Sequence, residues 1–308
     1  MFPLTLAACA PVPAPQESGP TIVSLNPCTD AILAEVADPG QLLAISAYSQ
    51  DPASSSMDLA RARAMRGVSG TVEEVAALRP QVVVASTFEA PATTGALRRL
   101  GFRLEQFGLA ATVEDSIAQV RALARISGHP ERGEALVVRI QAALAAARPT
   151  GAPIPAVVWQ SGGIVPGQGT LITDLLTRTG FANAAAQRGL HQADLLPLED
   201  MLAHPPRLIL TAGNMHSEED RLLAHPALAA LKQTRRARLD PALLWCGGPT
   251  IPRTVARLVE VRGAFETGLR LRSVPPQEER KKGKPAHPEE RPGLSLSKVR
   301  SRLEGPGA

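Results

Sequence analysis

The feature that most constrains this chain is a helix–strand unit written twice. Residues 71–86 read TVEEVAALRPQVVVAS and residues 197–212 read PLEDMLAHPPRLILTA. Set at an offset of 126 (197 − 71), Glu73 meets Glu199, Ala77 meets Ala203 and Pro80 meets Pro206. The triplet Val82, Val83, Val84 then meets Leu208, Ile209, Leu210. Thr71 followed three residues later by Glu74 is a capping-box signature that opens a helix. An unbroken apolar run such as QVVVAS is the pattern of a strand covered on both faces. Three identities are also within reach of two unrelated helix–strand units. The case for a true repeat rests on the order of elements around them.

That order is regular. Strands are expected at 21–25, 42–46, 81–86 and 103–107, alternating with helices at 31–36, 57–65, 72–79, 93–100 and 113–126. The stretch Asn26, Pro27, Cys28, Thr29, Asp30 reads as a turn. Beyond residue 150 the alternation restarts, with a strand at 156–159, a Gly-rich loop at 160–169, a helix at 171–179, a strand near 237–239 and a last helix at 251–265. Strands alternating with helices give parallel sheets. Between the halves lies PERGEALVVRIQAALAAA, residues 130–147. Leu136, Ile140, Leu144 and Ala147 recur at helical spacing, with Arg139 and Gln141 off that line. Pro130 suits a first turn, Glu131 and Glu134 the positive end of the dipole, and Arg148 the other end. At 1.5 Å per residue the helix runs roughly 25–30 Å. The expected organisation is an α/β protein with two Rossmann-like lobes joined by one long inter-lobe helix. Its segments are a truncated signal and linker (1–20), a first lobe (21–128), the bridging helix (129–148), a second lobe (149–272) and a disordered charged tail (273–308).

No apolar run in the 308 residues approaches the ~20 needed to span a membrane. The net charge is +4, of which residues 273–308 supply eight Lys/Arg against five Asp/Glu, or +3. The remainder is close to neutral and shows no basic surface interleaved with aromatics, so nucleic-acid binding is not expected. The tail cannot bury enough apolar surface to offset chain entropy. Of three cysteines, Cys9 ends Leu6, Ala7, Ala8, Cys9, a run similar to the lipobox of bacterial lipoproteins, which makes Cys9 the candidate for lipidation and residues 10–20 a tether. Only residues 2–8 precede it, fewer than a full export signal needs, and the expectation is an export signal whose true start lies upstream of Met1. A chance Leu-Ala-Ala-Cys in an Ala-rich start is the bland alternative.

Two α/β lobes enclose a cleft, and ligands in such sheets meet the loops at the carboxyl ends of strands. This rule nominates Asn26, Cys28 and Thr29; Tyr48; Phe88; Trp159, Gln160 and Gly163; and Trp245 with Cys246. Aromatics are 3% of the chain, with one Tyr and two Trp, so the placement of Tyr48, Trp159 and Trp245 at or beside these loops is informative. Each can cover a large planar or apolar ligand, or cap its own core. Residues 161–170, SGGIVPGQGT, lack the Lys-Ser/Thr of a phosphate loop. Trp159 occupies the first Gly position of a nucleophile elbow around Ser161. His129, His191, His204, His216 and His225 all lie at or after the long helix, so no metal site shared between lobes is expected. Cys28 and Cys246 are expected as small packed thiols, because a disulfide between them would tie the lobes and hinder opening. Glu74 is the better capping partner of Thr71, which leaves Glu73 pointing outward.

Residues 22–27 (IVSLNP), 47–49 (AYS), 71–80, the helix after Gly128, His129, Pro130, and 198–202 (LEDML) together resemble the periplasmic substrate-binding proteins of iron-siderophore and vitamin B12 ABC importers. The resemblance covers roughly residues 21–270. It implies two lobes on a rigid helix, modest closure around a metal chelate, no cofactor, no covalent step and a monomer. It also implies that Glu73 and Glu199 dock onto Arg residues of a permease dimer, and that Tyr48 and the Trp245–Cys246 loop touch ligand. Arg253 and Arg188 are the nearest candidates for a chelate-binding Arg set, which is otherwise not evident. The expected location is the periplasm, with membrane contact only through the anchor at Cys9. Rival readings are a hydrolase using Ser161 with His191 or His216, and a ligand sensor without transport.

Overall fold

The computed structural model describes residues 19–52, 54–213, 223 and 225–268. Cys9, His216 and the 273–308 tail fall outside them. The first half runs β1 (Ile22–Ser24), α1 (Pro27–Val36), β2 (Leu42–Ser46), α2 (Leu59–Arg63), β3 (Gly67–Val68), α3 (Val72–Leu78), β4 (Val82–Ser86), α4 (Pro91–Arg99), β5 (Arg103–Phe107) and α5 (Val113–Ser127). After α6 (Pro130–Ala146) come β6 (Ile154–Gln160), β7 (Ile164–Val165), α7 (Leu171–Arg178), β8 (Phe181–Asn183), α8 (Ala184–Gln187), β9 (Asp194–Leu195), α9 (Leu198–Ala203), β10 (Leu208–Ala212), β11 (Arg235–Arg238) and α10 (Thr250–Thr267).

The duplicated unit is present in three dimensions. The first sheet has the order β3-β2-β1-β4-β5 and the second β11-β10-β6-β8, both fully parallel. Read from β2 and from β8, the four shared strands follow the same order, β2-β1-β4-β5 against β8-β6-β10-β11. Helices α3 and α9 start 126 residues apart (198 − 72), and so do β4 and β10 (208 − 82). The halves differ at their margins. The first adds β3 as an edge strand, whereas the second carries a short antiparallel ribbon of β7 and β9.

Helix α6 joins the halves as its spacing requires. It buries Gly133, Leu136, Val137 and Ile140, and packs on α5 and α1 of the first half and on α10 of the second. Gly133 is where α5 comes closest: a Cβ there would lie 2.5 Å from Ala124 Cβ. On the polar side Arg132 donates to Asp38 (2.6 Å) and to the Val36 carbonyl (3.2 Å), and Arg139 pairs with Glu35 at 2.8 Å, so the last turn of α1 is pinned to α6. The largest apolar cluster does not respect the division between halves. It takes Ile22, Leu33, Val84 and Val120 from one side, Leu136 and Ile140 from α6, and Val158, Leu176, Leu210 and Leu258 from the other.

Candidate functional site

The residues expected to form a turn at 26–30 instead open α1. Asn26 is the N-cap, its side-chain oxygen accepting from the Cys28 amide at 2.9 Å, and Pro27 takes the first helical position. Thr29 is buried, donates to the Asn26 carbonyl at 3.0 Å and shares a hydrogen bond with Ser24. The expectation that Thr29 faces a ligand is therefore corrected, because its hydroxyl is spent on the cap.

Asp30, one residue on, is fully buried. One carboxylate oxygen accepts from the Ser46 amide (2.9 Å) and the Ser49 hydroxyl (2.7 Å), while the other has no partner among the described residues. Burial pushes its pKa up to about 7, and the hydroxyls of Ser24 and Ser49 and the Ser46 amide only partly oppose that shift. Ser46 and Ser49 bracket Tyr48, which sits in the 3-10 turn Ala47–Gln50 and is 65% exposed. Asp30 thus fixes the segment that presents the ring. Phe88, at the carboxyl end of β4, is likewise exposed, its amide held by the Ser86 hydroxyl at 3.1 Å.

Cys28 and Cys246 form a disulfide, with Cα atoms 4.9 Å apart. This overturns the packed-thiol expectation. The halves already touch here, so the bond costs no approach of the chain. Trp245 beside it is 49% exposed. Further bonds cross the same seam. The Gly248 amide donates to Ser116 Oγ at 2.7 Å, the Val113 amide to Asp174 at 2.8 Å, and Arg178 to Glu114 at 2.7 Å, while an i,i+4 pair with Asp174 inside α7 steadies the Arg178 side chain. Arg253 is exposed but donates to the Ser56 carbonyl at 3.0 Å, so part of its guanidinium is already engaged across the seam.

Trp159, Gly163 and Arg188 lie elsewhere. Trp159 has no exposed surface; it packs among Val157, Met201 and Ile209 and donates its indole N–H to the Leu196 carbonyl at 3.3 Å. It is a core residue, which corrects its placement on the cleft wall. Gly163 is buried, its carbonyl accepting from the Leu196 amide, and Gln160 ends β6 half-buried. Arg188 donates to the His204 carbonyl and lines a dent of about 460 Å³ with Leu195 and Asp200, away from Trp245. Ser161 and His191 share no hydrogen bond among the described residues, and His191 is exposed with its amide on Asp194. No group of three His, Cys, Asp or Glu among the described residues is placed to hold a metal.

Glu73 and Glu199 occupy equivalent first-turn positions of α3 and α9, both exposed and without a polar partner among the described residues. Thr71 caps the Glu74 amide at 3.3 Å, and the Glu74 carboxylate turns back to the Ser69 amide and hydroxyl. That arrangement keeps Glu74 below the usual carboxylate range, the Ser69 hydroxyl contributing most, and leaves Glu73 projecting.

The periplasmic binding protein family model matches residues 22–243, and the chain belongs to that family. Among solved structures, the haem-binding protein RhuT of Roseiflexus sp. RS-1, in apo form, superposes with a TM-score of 0.64 at 23% identity, covering 81% of this chain and 98% of that one. A periplasmic haem-binding protein of Pseudomonas aeruginosa gives 0.63 at 23% identity over 82% and 95%. The vitamin B12-binding protein BtuF of Vibrio cholerae gives 0.61 at 20% over 80% and 97%. These likenesses establish the two-lobed fold. No curated protein sequence matches the chain.

Proposed function

We propose that this chain is the extracytoplasmic substrate-binding component of an ABC importer, taking a metal chelate into the cleft between lobes 21–128 and 149–272. The cargo class is haem, cobalamin or a related corrinoid, or a ferric siderophore. One observation carries the reading: the exposed Tyr48 and Trp245 rings hang from opposite halves yet are fastened to the same helix turn, Tyr48 through Asp30 and Trp245 through the disulfide. Rings presented this way supply area to a large, partly planar ligand without much reorganisation. Family membership and haem- and B12-binding structural neighbours support the same class. Phe88, Asn26, Gln160 and Arg253 complete the proposed lining, with Cys28 and Cys246 as its floor. Glu73 and Glu199, one per lobe, are the proposed contacts to Arg residues of the permease dimer. Cys9 is the proposed lipid anchor of a periplasmic, monomeric protein. No chemical transformation of the cargo is part of this reading.

The test is a fluorescence titration with haem, cobalamin and a set of ferric siderophores. Such chelates can quench a buried indole at a distance as well as an exposed one, so the part of the emission change that disappears in Trp245→Ala is what reports Trp245. Saturable binding of one chelate class, lost in Trp245→Ala, supports the reading; binding of none of them refutes it.

A further inference from the structure

The disulfide does more than join two distant parts of the chain. Cys28 is the second residue of α1, whose opposite end is pinned to α6 by Arg132 and Arg139. The chain following Cys246 lies on the first half although it belongs to the second. Gly247 abuts the Ser116 side chain, and Gly248, at a left-handed φ of 59°, leaves no room for a Cβ beside Ile32. Upstream, Leu243 is buried in the shared core. Trp245 stands between these anchors, and its indole makes no hydrogen bond among the described residues. On one side Leu244 packs on the shared core, and on the other the covalent bond at Cys246 ties the backbone to the first turn of α1.

We propose that the Cys28–Cys246 disulfide is the positioning element of the cargo site: it holds the Trp245 ring to the helix turn that also fixes Tyr48, and its cleavage frees that ring and weakens cargo retention. The proposal rests on the cleft reading above. The two sulfurs differ in access, Cys28 being half-buried and Cys246 only 3% exposed. A dithiol reductant therefore attacks Cys28. Its thiolate forms a mixed disulfide there and expels Cys246 as a thiolate, which takes up a proton. The second thiol of the reductant then displaces Cys28, whose thiolate is favoured as a leaving group by the amino end of α1. Overall two electrons and two protons pass to the protein, and the reductant leaves as its own disulfide. Cargo capture would thus depend on the redox state of the surrounding compartment.

The experiment compares the oxidised full chain, the same protein reduced with a phosphine, and the Cys28→Ser/Cys246→Ser variant. All are held well below their melting temperatures, with native far-UV circular dichroism. Steady-state anisotropy and acrylamide quenching of tryptophan emission report Trp245, with Trp159 as the constant buried component. The expected result is lower anisotropy of the quenchable emission in both bond-free forms and at least a ten-fold rise in the dissociation constant for the chelate bound by the oxidised form. Unchanged anisotropy with both thiols shown free by alkylation would overturn the proposal. So would freed anisotropy with unchanged affinity, or loosening that makes Trp159 quenchable too. If the oxidised protein binds no chelate, the cargo reading fails by itself. The anisotropy comparison then still decides whether the bond positions the ring.

Discussion

Replacing Asp30 by Asn tests how the first turn of α1 is held. The carboxyl group is fully buried, one oxygen accepts two hydrogen bonds, and the other has no partner among the described residues. Its pKa rises from 3.8 to about 7 because burial disfavours the charge. A group whose folded-state pKa lies above its unfolded value binds more protons when folded. Its contribution to stability is therefore greatest below about pH 4 and is lost as pH rises through 7. Integrating the proton difference between pH 5 and pH 8 gives a loss of roughly 2–3 kcal/mol, from 1.36 kcal/mol per pKa unit. Asn retains an oxygen acceptor for the Ser46 amide and the Ser49 hydroxyl but cannot ionise. The assay is urea unfolding of the oxidised wild type and Asp30→Asn at pH 5, 6, 7 and 8. The expected outcome is a decline in the wild type that is absent from the variant, so that the two converge or cross toward pH 8. Parallel pH dependence in the two proteins would refute the assignment of the slope to this carboxyl. Glu74, Glu134 and Asp38 lie below their ordinary range through their hydrogen-bonding and charged partners. Their effect has the opposite sign and is lost only as pH falls through the acid range, outside this window.

Trp159→Ala should cost about 3–5 kcal/mol in urea unfolding, as expected for truncating a fully buried ring, whereas Trp245→Ala should cost under about 1 kcal/mol and instead remove the Trp245 part of the emission response to chelate. Gly133→Ala puts a methyl against Ala124 at the α5–α6 contact and should destabilise by about 1–3 kcal/mol, read as a lower denaturation midpoint at unchanged slope. Glu73→Arg combined with Glu199→Arg should eliminate uptake in a transport assay while chelate affinity stays within about two-fold; equal loss of both would remove the docking role.

The alternation of elements was legible because it rests on long apolar runs. Val82–Ser86 and Leu208–Ala212 are continuous strands whose burial leaves little choice of partner. The start of α1 was not legible, since Asn26 and Pro27 serve equally in a turn or at a helix amino end. Tertiary contact with Ser46 and Ser49 decides between them. Two-residue strands such as β7 and β9 are too short for any periodicity. Trp159 misled for a related reason. A ring at a strand's carboxyl end reaches solvent only if nothing crosses it, and here the Leu196 segment does. Residues 218 positions apart carry no local signal of pairing, and the sequence does not reveal that the halves already meet at this point of the seam. Ser116, Glu114 and Asp174 had no distinguishing context in the sequence, yet they hold the seam.

Although the chain looks like one design used twice, its greasiest cluster is filled by side chains from both copies and from α6. Each copy keeps smaller apolar clusters of its own, but neither could close the shared one alone. Cut apart, each would present to water the apolar flank its sibling now covers, and would be prone to clump. A chain of this kind cannot trade one half for that of a relative without also inheriting the surface that half was shaped to meet.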